Sequence, residues 1–255
     1  MDASEFAARV RRRETVVGYW VGLDSPASTE QVARLGYDYV CLDGQHGLLG
    51  YSGMLAALTA IDAAAAAVGL VRVAANDVSP IGRALDAGAA GVIVPLVNSA
   101  EEAASAVAAC RYPPAGVRSY GPGRPIRGAG RSLAEVDDAV TVLVMIETAQ
   151  GLASVEAIAA TPGLDGLYIG PSDLSVALGG AGAGDPSIAD AFEAALTRVR
   201  RACEDNGIAA GLHTRSGEDA ARRIRDGFTF LSVAGDMAHL VAAAQTHLAA
   251  ARDEG

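Results

Sequence analysis

Eight short runs of apolar and β-branched residues recur along the chain, at positions 16–23, 37–42, 70–74, 91–97, 141–146, 166–169, 208–212 and 228–233. Each is followed by a polar or glycine-containing turn and then by a stretch with helical spacing. Most of these runs are apolar throughout and do not alternate, the pattern of parallel strands buried on both faces. Eight such units in succession predict a closed (β/α)8 TIM barrel, an α/β fold that a chain of this length commonly forms as one unit. The whole chain, 1–255, therefore reads as a single domain. Four junctions, Leu35-Gly36, Ala87-Gly88, Pro162-Gly163 and Asp226-Gly227, put Gly between a helix end and the next strand. These predict left-handed helix stops at the N-terminal end of the barrel.

Two segments break the pattern. Positions 111–130, RYPPAGVRSYGPGRPIRGAG, have neither period and are rich in Gly, Pro and Arg, so this stretch is either functional or flexible. A shorter Gly-rich segment, 179–184, interrupts the sixth unit and reads as a plain loop. The N-terminal cluster of Arg9, Arg11, Arg12 and Arg13 reads as a solvated helix end.

Composition narrows the chemistry. The chain is 51% hydrophobic and 20% charged with a formal charge of −10, which opposes nucleic acid and anionic membranes as partners. No uncharged apolar stretch reaches the ~18–20 residues of a membrane span. All 20 basic residues are Arg. Without Lys there is no Schiff-base catalysis, no pyridoxal-phosphate attachment and no lysine-ended phosphate loop. Cys41, Cys110 and Cys203 are odd in number and widely spaced, which fits reduced thiols in a cytoplasmic protein better than zinc or disulfides.

In such a barrel the active site lies at the C-terminal strand ends. There the sequence places Asp43-Gly44-Gln45-His46, Arg72, Glu147, Gly170-Pro171-Ser172-Asp173 and His213. Glu147 and Asp173 fall on consecutive units, and two carboxylates without a His or Cys ligand favour a hard divalent ion. The plain alternative is that each caps a helix or forms a salt bridge. Arg72 in an apolar strand must meet an anion, from the protein or from a substrate. His46 is a plausible proton carrier and His213 a weaker one, while His239 and His247 on the last helix read as structural or surface residues.

Taken in order, Gly18-Tyr-Trp-Val-Gly-Leu23, Asp43-Gly-Gln-His46, Arg72, Arg111-Tyr-Pro-Pro-Ala-Gly-Val-Arg118, Glu147-Thr and Gly170-Pro-Ser-Asp-Leu-Ser175 form a specific set. From about Gly18 to Asp236 the chain resembles the HpcH/HpaI aldolases, class II pyruvate aldolases. The resemblance implies reversible aldol cleavage of a 2-keto acid into pyruvate or hydroxypyruvate and an aldehyde. It implies a divalent cation (Mg2+, Mn2+ or Co2+), no organic cofactor, and a homohexamer with the 111–130 loop and the C-terminal helix at subunit contacts. Glu147 and Asp173 match the metal ligands, Arg72 the residue on the keto or enolate oxygen, His46 the base and Asp86 the carboxylate that orients it. The backbone around Gly170, Pro171, Ser172 and Asp173 matches the carboxylate grip, and Trp20 a wall of the aldehyde pocket.

Three positions depart from the pattern. Gln45 stands where relatives often carry Glu, Met145 where they often carry Gln, and His213 where the semialdehyde enzymes are apolar, so Gln45 and His213 are read as substrate-facing. Other outcomes of the same scaffold are an enolate-forming decarboxylase, a citrate-lyase-like enzyme and a non-catalytic ring-forming homologue.

Overall fold

In the computed structural model, which describes residues 1–121, 123–124 and 132–252, the eight expected strands close into one barrel. They are β1 (Val16–Val21), β2 (Tyr39–Asp43), β3 (Val68–Arg72), β4 (Gly91–Val94), β5 (Thr141–Ile146), β6 (Gly166–Ile169), β7 (Ala209–Thr214) and β8 (Phe230–Gly235). Every neighbouring pair is parallel, and β8 returns to β1. Some bounds differ from the sequence pattern: β8 begins two residues later than its apolar run, β4 ends three residues before its run does, and β3 begins two residues earlier than its run suggests. The preceding helix, Tyr51–Ala64, stops at Ala65 in the left-handed region (φ 55°), freeing the next residues for the strand.

Gly36, Gly88, Gly163 and Gly227 all have φ between +88° and +105°, as their positions before strands predict. They mark the N-terminal end of the barrel. Outward-facing strand residues and the helices form one apolar layer, while Val16, Tyr39, Leu70, Ile93, Leu143, Tyr168 and Phe230 fill the interior. Side chains alternate along a strand, so the inward set that includes Tyr39 and Cys41 continues to Asp43, and the set of Val68 and Leu70 continues to Arg72. Gly18 makes room for the ring of Tyr39, where a Cβ would stand 2.2 Å from the ring carbons.

The N-terminal Arg cluster is not simply solvated. Helix Ala3–Arg11 lies across the lower mouth of the barrel, with Phe6 fully buried against Tyr39 and Phe230. Arg9 pairs with Asp38 and Arg11 with Asp165, each at 2.7 Å. The three cysteines are free and buried. His239 accepts or donates a 2.8 Å hydrogen bond at Tyr19 Oη, a structural role, and His247 is exposed. No helix among the described residues is long and apolar enough to cross a membrane.

Candidate active site

The upper mouth of the barrel holds a cavity of about 210 Å3 lined by Trp20, His46, Arg72, Met145, Tyr168, Gly170, Pro171, Ser172, Asp173 and His213. Most of the residues singled out from sequence converge here. A groove of about 320 Å3 between helices Tyr51–Ala64 and Val78–Asp86 is larger, but lacks paired carboxylates facing an arginine.

Arg72 meets its anion inside the protein. Asp43 and Arg72 are register partners across β2 and β3, and Nε and Nη2 donate to Oδ1 and Oδ2 of Asp43 at 3.0 and 2.5 Å. Oδ1 also accepts the backbone N–H groups of Gln45 and His46, and Oδ2 the indole N–H of Trp20 at 3.1 Å. Burial works against ionisation of Asp43, but the hydrogen bonds and charge of Arg72 outweigh it and hold the carboxyl below its usual range. Asp43 thus aims Arg72, anchors Trp20 and shapes the turn that carries His46. The sequence pattern alone assigns Asp43 no task; its place opposite Arg72 at a strand end is the signal that points to it.

Arg72 keeps Nη1 free of protein hydrogen bonds among the described residues and lies 5.1 Å from the Trp20 ring centroid. Trp20 also stacks on Tyr168 and meets His213 edge-on at 5.3 Å. Burial, reinforced by the Arg72 charge, lowers the His213 pKa to about 4, so the ring is neutral at pH 7. Neither ring nitrogen has a protein partner among the described residues.

Glu147 is 2% exposed. Its Oε1 accepts the N–H of Leu96 at 2.8 Å, and its Oε2 is buried without a partner. Burial pushes its pKa up, the Leu96 N–H opposes that, and the negative charge of Asp173 adds to it. Asp173 makes no capping bond: helix Pro171–Ala177 starts from Gly170 with no side-chain cap. The capping and salt-bridge alternatives therefore hold for neither carboxylate. An orphaned buried oxygen on a carboxylate that feels the charge of a second one fits a divalent cation, with water and substrate oxygens completing the shell. Among the described residues no cluster of three or more His, Cys, Asp or Glu competes for that assignment. Gly170 is required here, because a Cβ would stand 2.4 Å from Glu147 Oε2.

Asp86 lies apart from the other candidate residues in this chain. It is the last residue of helix Val78–Asp86, which runs from the upper rim down to the N-terminal end of the barrel, and it accepts a 2.8 Å bond from Arg118. Its side-chain partner is Arg118, and it does not line the cavity that holds His46. Gln45 contributes its backbone to the site, while its Oε1 is buried without a partner and its side chain does not line the cavity. The described part of the 111–130 loop is also tied to the lower end, with Arg124 on Asp62 at 2.6 Å; positions 122 and 125–130 lie outside the described residues.

Two carboxylates beside a fixed guanidinium and a histidine suit chemistry in which negative charge develops on a carbonyl oxygen. The profile of the HpcH/HpaI aldolase/citrate lyase family matches residues 16–243. The chain is 38% identical over 234 residues to a hydroxypyruvate/pyruvate aldolase of Rhizorhabdus wittichii, covering 91% of this chain and 92% of that one. It is 38% identical over 250 residues to a 4-hydroxy-2-oxovalerate aldolase of Rhodococcus jostii, covering 97% and 95%. A crystal structure of an HpcH/HpaI aldolase/citrate lyase family protein from Burkholderia cenocepacia superposes with a TM-score of 0.90 at 32% identity, covering 98% and 99%. This chain belongs to the HpcH/HpaI aldolase/citrate lyase family, and it is a carbon–carbon lyase of the aldolase type.

Proposed function

We propose that this protein catalyses reversible aldol addition of pyruvate or hydroxypyruvate to an aldehyde, with a divalent cation held by Glu147 and Asp173. The observation that carries the reading is the pairing of an unpartnered Glu147 Oε2 with an Arg72 whose Nη1 is uncommitted. When bound, the cation supplies Lewis acidity at the keto group. The chain does the rest. First-turn amides at Ser172 and Asp173, which have no intrahelical partners, receive the keto-acid carboxylate. Arg72, immobilised by Asp43, presents Nη1 where the enolate oxygen gains charge. His46 takes the proton from the 4-hydroxyl in cleavage and returns it in synthesis. Trp20, Tyr168 and Met145 give the cavity an apolar wall that limits water.

The test is twofold: exchange of pyruvate methyl protons with solvent deuterium, and product formation with a panel of aldehydes, each with and without Mg2+, Mn2+ or Co2+. Exchange and product that both require the ion support the reading; full turnover in a metal-free preparation refutes it.

The assembly is proposed to be a homohexamer. The last helix, Asp236–Arg252, has no buried residue in the single chain and exposes Met237, Leu240, Val241 and Leu248. The role that resemblance gives Asp86 requires a histidine its own chain does not bring near, so the Asp86 carboxylate is assigned to the partner subunit's His46. Mixing Asp86→Asn with His46→Asn subunits should restore some activity, since some sites then hold both intact groups; no recovery would withdraw the assignment.

A further inference from the structure

The aldehyde side of the site does not end at His213. A second cavity of about 340 Å3 abuts the first, and His213 and Pro171 line both. Its lining carries three carboxylates, Asp185, Glu193 and Asp219, and three guanidiniums, Arg215, Arg222 and Arg223, but these do not all pair with one another. Glu193 accepts two bonds from Arg223, at 2.7 and 2.6 Å. Asp219 accepts from Arg222 at 2.6 Å. Asp185 is occupied by the backbone N–H groups of Ala181 and Ser187 and by the Ser187 hydroxyl. Arg215 is left over: among the described residues it forms no ion pair, and its polar contact is a long 3.5 Å approach of Nη1 to the Ala183 carbonyl.

Arg215 is exposed, yet its position is defined. The guanidinium rests on Gly184, where a Cβ would stand 2.8 Å from Nη2 and 2.9 Å from Nη1, and the φ of +85° there favours glycine. The Gly-rich segment 179–184 therefore supplies a seat for the guanidinium. Arg215 follows His213 by two residues as β7 leaves the barrel, a rise of roughly 6–7 Å, the span of a three- or four-carbon aldehyde. A guanidinium without a protein partner matches the paired oxygens of a carboxylate or phosphate.

We propose that Arg215 recognises the terminal anion, carboxylate or phosphate, of the aldehyde acceptor. The inference rests on the aldolase reading above and adds the acceptor's class: an aldehyde with an acidic group at the far end of its chain.

The experiment compares wild type, Arg215→Ala and Arg215→Lys in pyruvate addition to four acceptors: neutral glyceraldehyde and propionaldehyde, the carboxylate succinate semialdehyde, and glyceraldehyde 3-phosphate. In Arg215→Ala, KM for at least one anionic acceptor should rise roughly ten- to a hundredfold, as expected for losing a hydrogen bond to a charged group. The neutral acceptors should stay within about twofold by that same logic, and Arg215→Lys should recover part of the loss. Whichever anion shows the effect identifies the terminal group. Methyl-proton exchange of pyruvate should be unchanged in both variants, which separates this subsite from the enolisation machinery. Equal effects on neutral and anionic acceptors, or none on either, would overturn the proposal while leaving the aldolase reading intact. Absence of pyruvate exchange in the wild type would remove the aldolase reading itself.

Discussion

Arg72 lends two of its three guanidinium nitrogens to Asp43, and the third faces the cavity. Aspartate and arginine are thus one device, with the acid holding the base in place and leaving a single nitrogen for substrate. Arg72→Ala should lower kcat for both aldol cleavage and oxaloacetate decarboxylation, because both pass through an enolate. About 2–4 kcal/mol is typical for a group of this kind. Asp43→Asn should cost nearly as much, and the double variant little more than the worse single one; additive losses in steady-state kinetics would show that the two act separately.

His46 separates from that pair by reaction. Decarboxylation has no hydroxyl to deprotonate, so His46→Ala should reduce aldol turnover by about a hundredfold or more and decarboxylation far less. Equal losses in the two assays would remove His46 from the base role.

The carboxylate pair predicts a trade between stability and activity. The folded pKa of Glu147 is raised, so its contribution to stability is present below the unfolded value and is lost as pH rises through the folded one. Metal-free protein should therefore be less stable at neutral pH than Glu147→Gln, while the variant loses activity. Melting curves in chelator check the first statement, and Mg2+ should raise Tm of the wild type only. Borohydride with pyruvate should trap no adduct on a chain without Lys.

His213 gives the opposite pH signature. Its folded pKa of about 4 lies below the unfolded value near 6.5, so the unfolded chain binds more protons between the two and stability falls as pH drops through that window. His213→Leu should flatten Tm against pH there. The same variant should lower kcat/KM for hydroxyaldehydes relative to aliphatic ones, since a neutral imidazole without a protein partner can bond an acceptor hydroxyl. An unchanged ratio would leave His213 a packing residue beside Trp20.

The barrel was legible because each strand carries its own signal: an apolar run, with a left-handed glycine before five of the eight, Gly207 before β7 being the one the sequence pattern did not single out. The placement of the candidate residues was legible where strand ends expose chemistry, as at His46, Arg72, Glu147 and Asp173. Asp43 was visible but had no role, because a strand buried on both faces hides which residues point inward; only the register across to Arg72 reveals the pair. The place of Asp86 is hidden for another reason: matching a position says nothing of which end of the barrel, or which copy of the chain, its helix end reaches. The arginines at 9 and 11 were read as solvated because their partners, Asp38 and Asp165, are far away in sequence.

The helix beneath the barrel bears on how the chain is made. Arg11 bonds to Asp165, 154 positions later, and β1 pairs along its other edge with β8. During synthesis the first strand therefore waits, with one row of backbone groups unmatched, until β8 has emerged. An open edge held for that long invites pairing with another nascent chain. The plug of Phe6 and the two arginines covers the end of the barrel, not that edge, so closure is a late, long-range event that sets the pace of folding. Expression at lower temperature or lower chain density should favour the soluble barrel for this reason, independently of how stable the finished fold is.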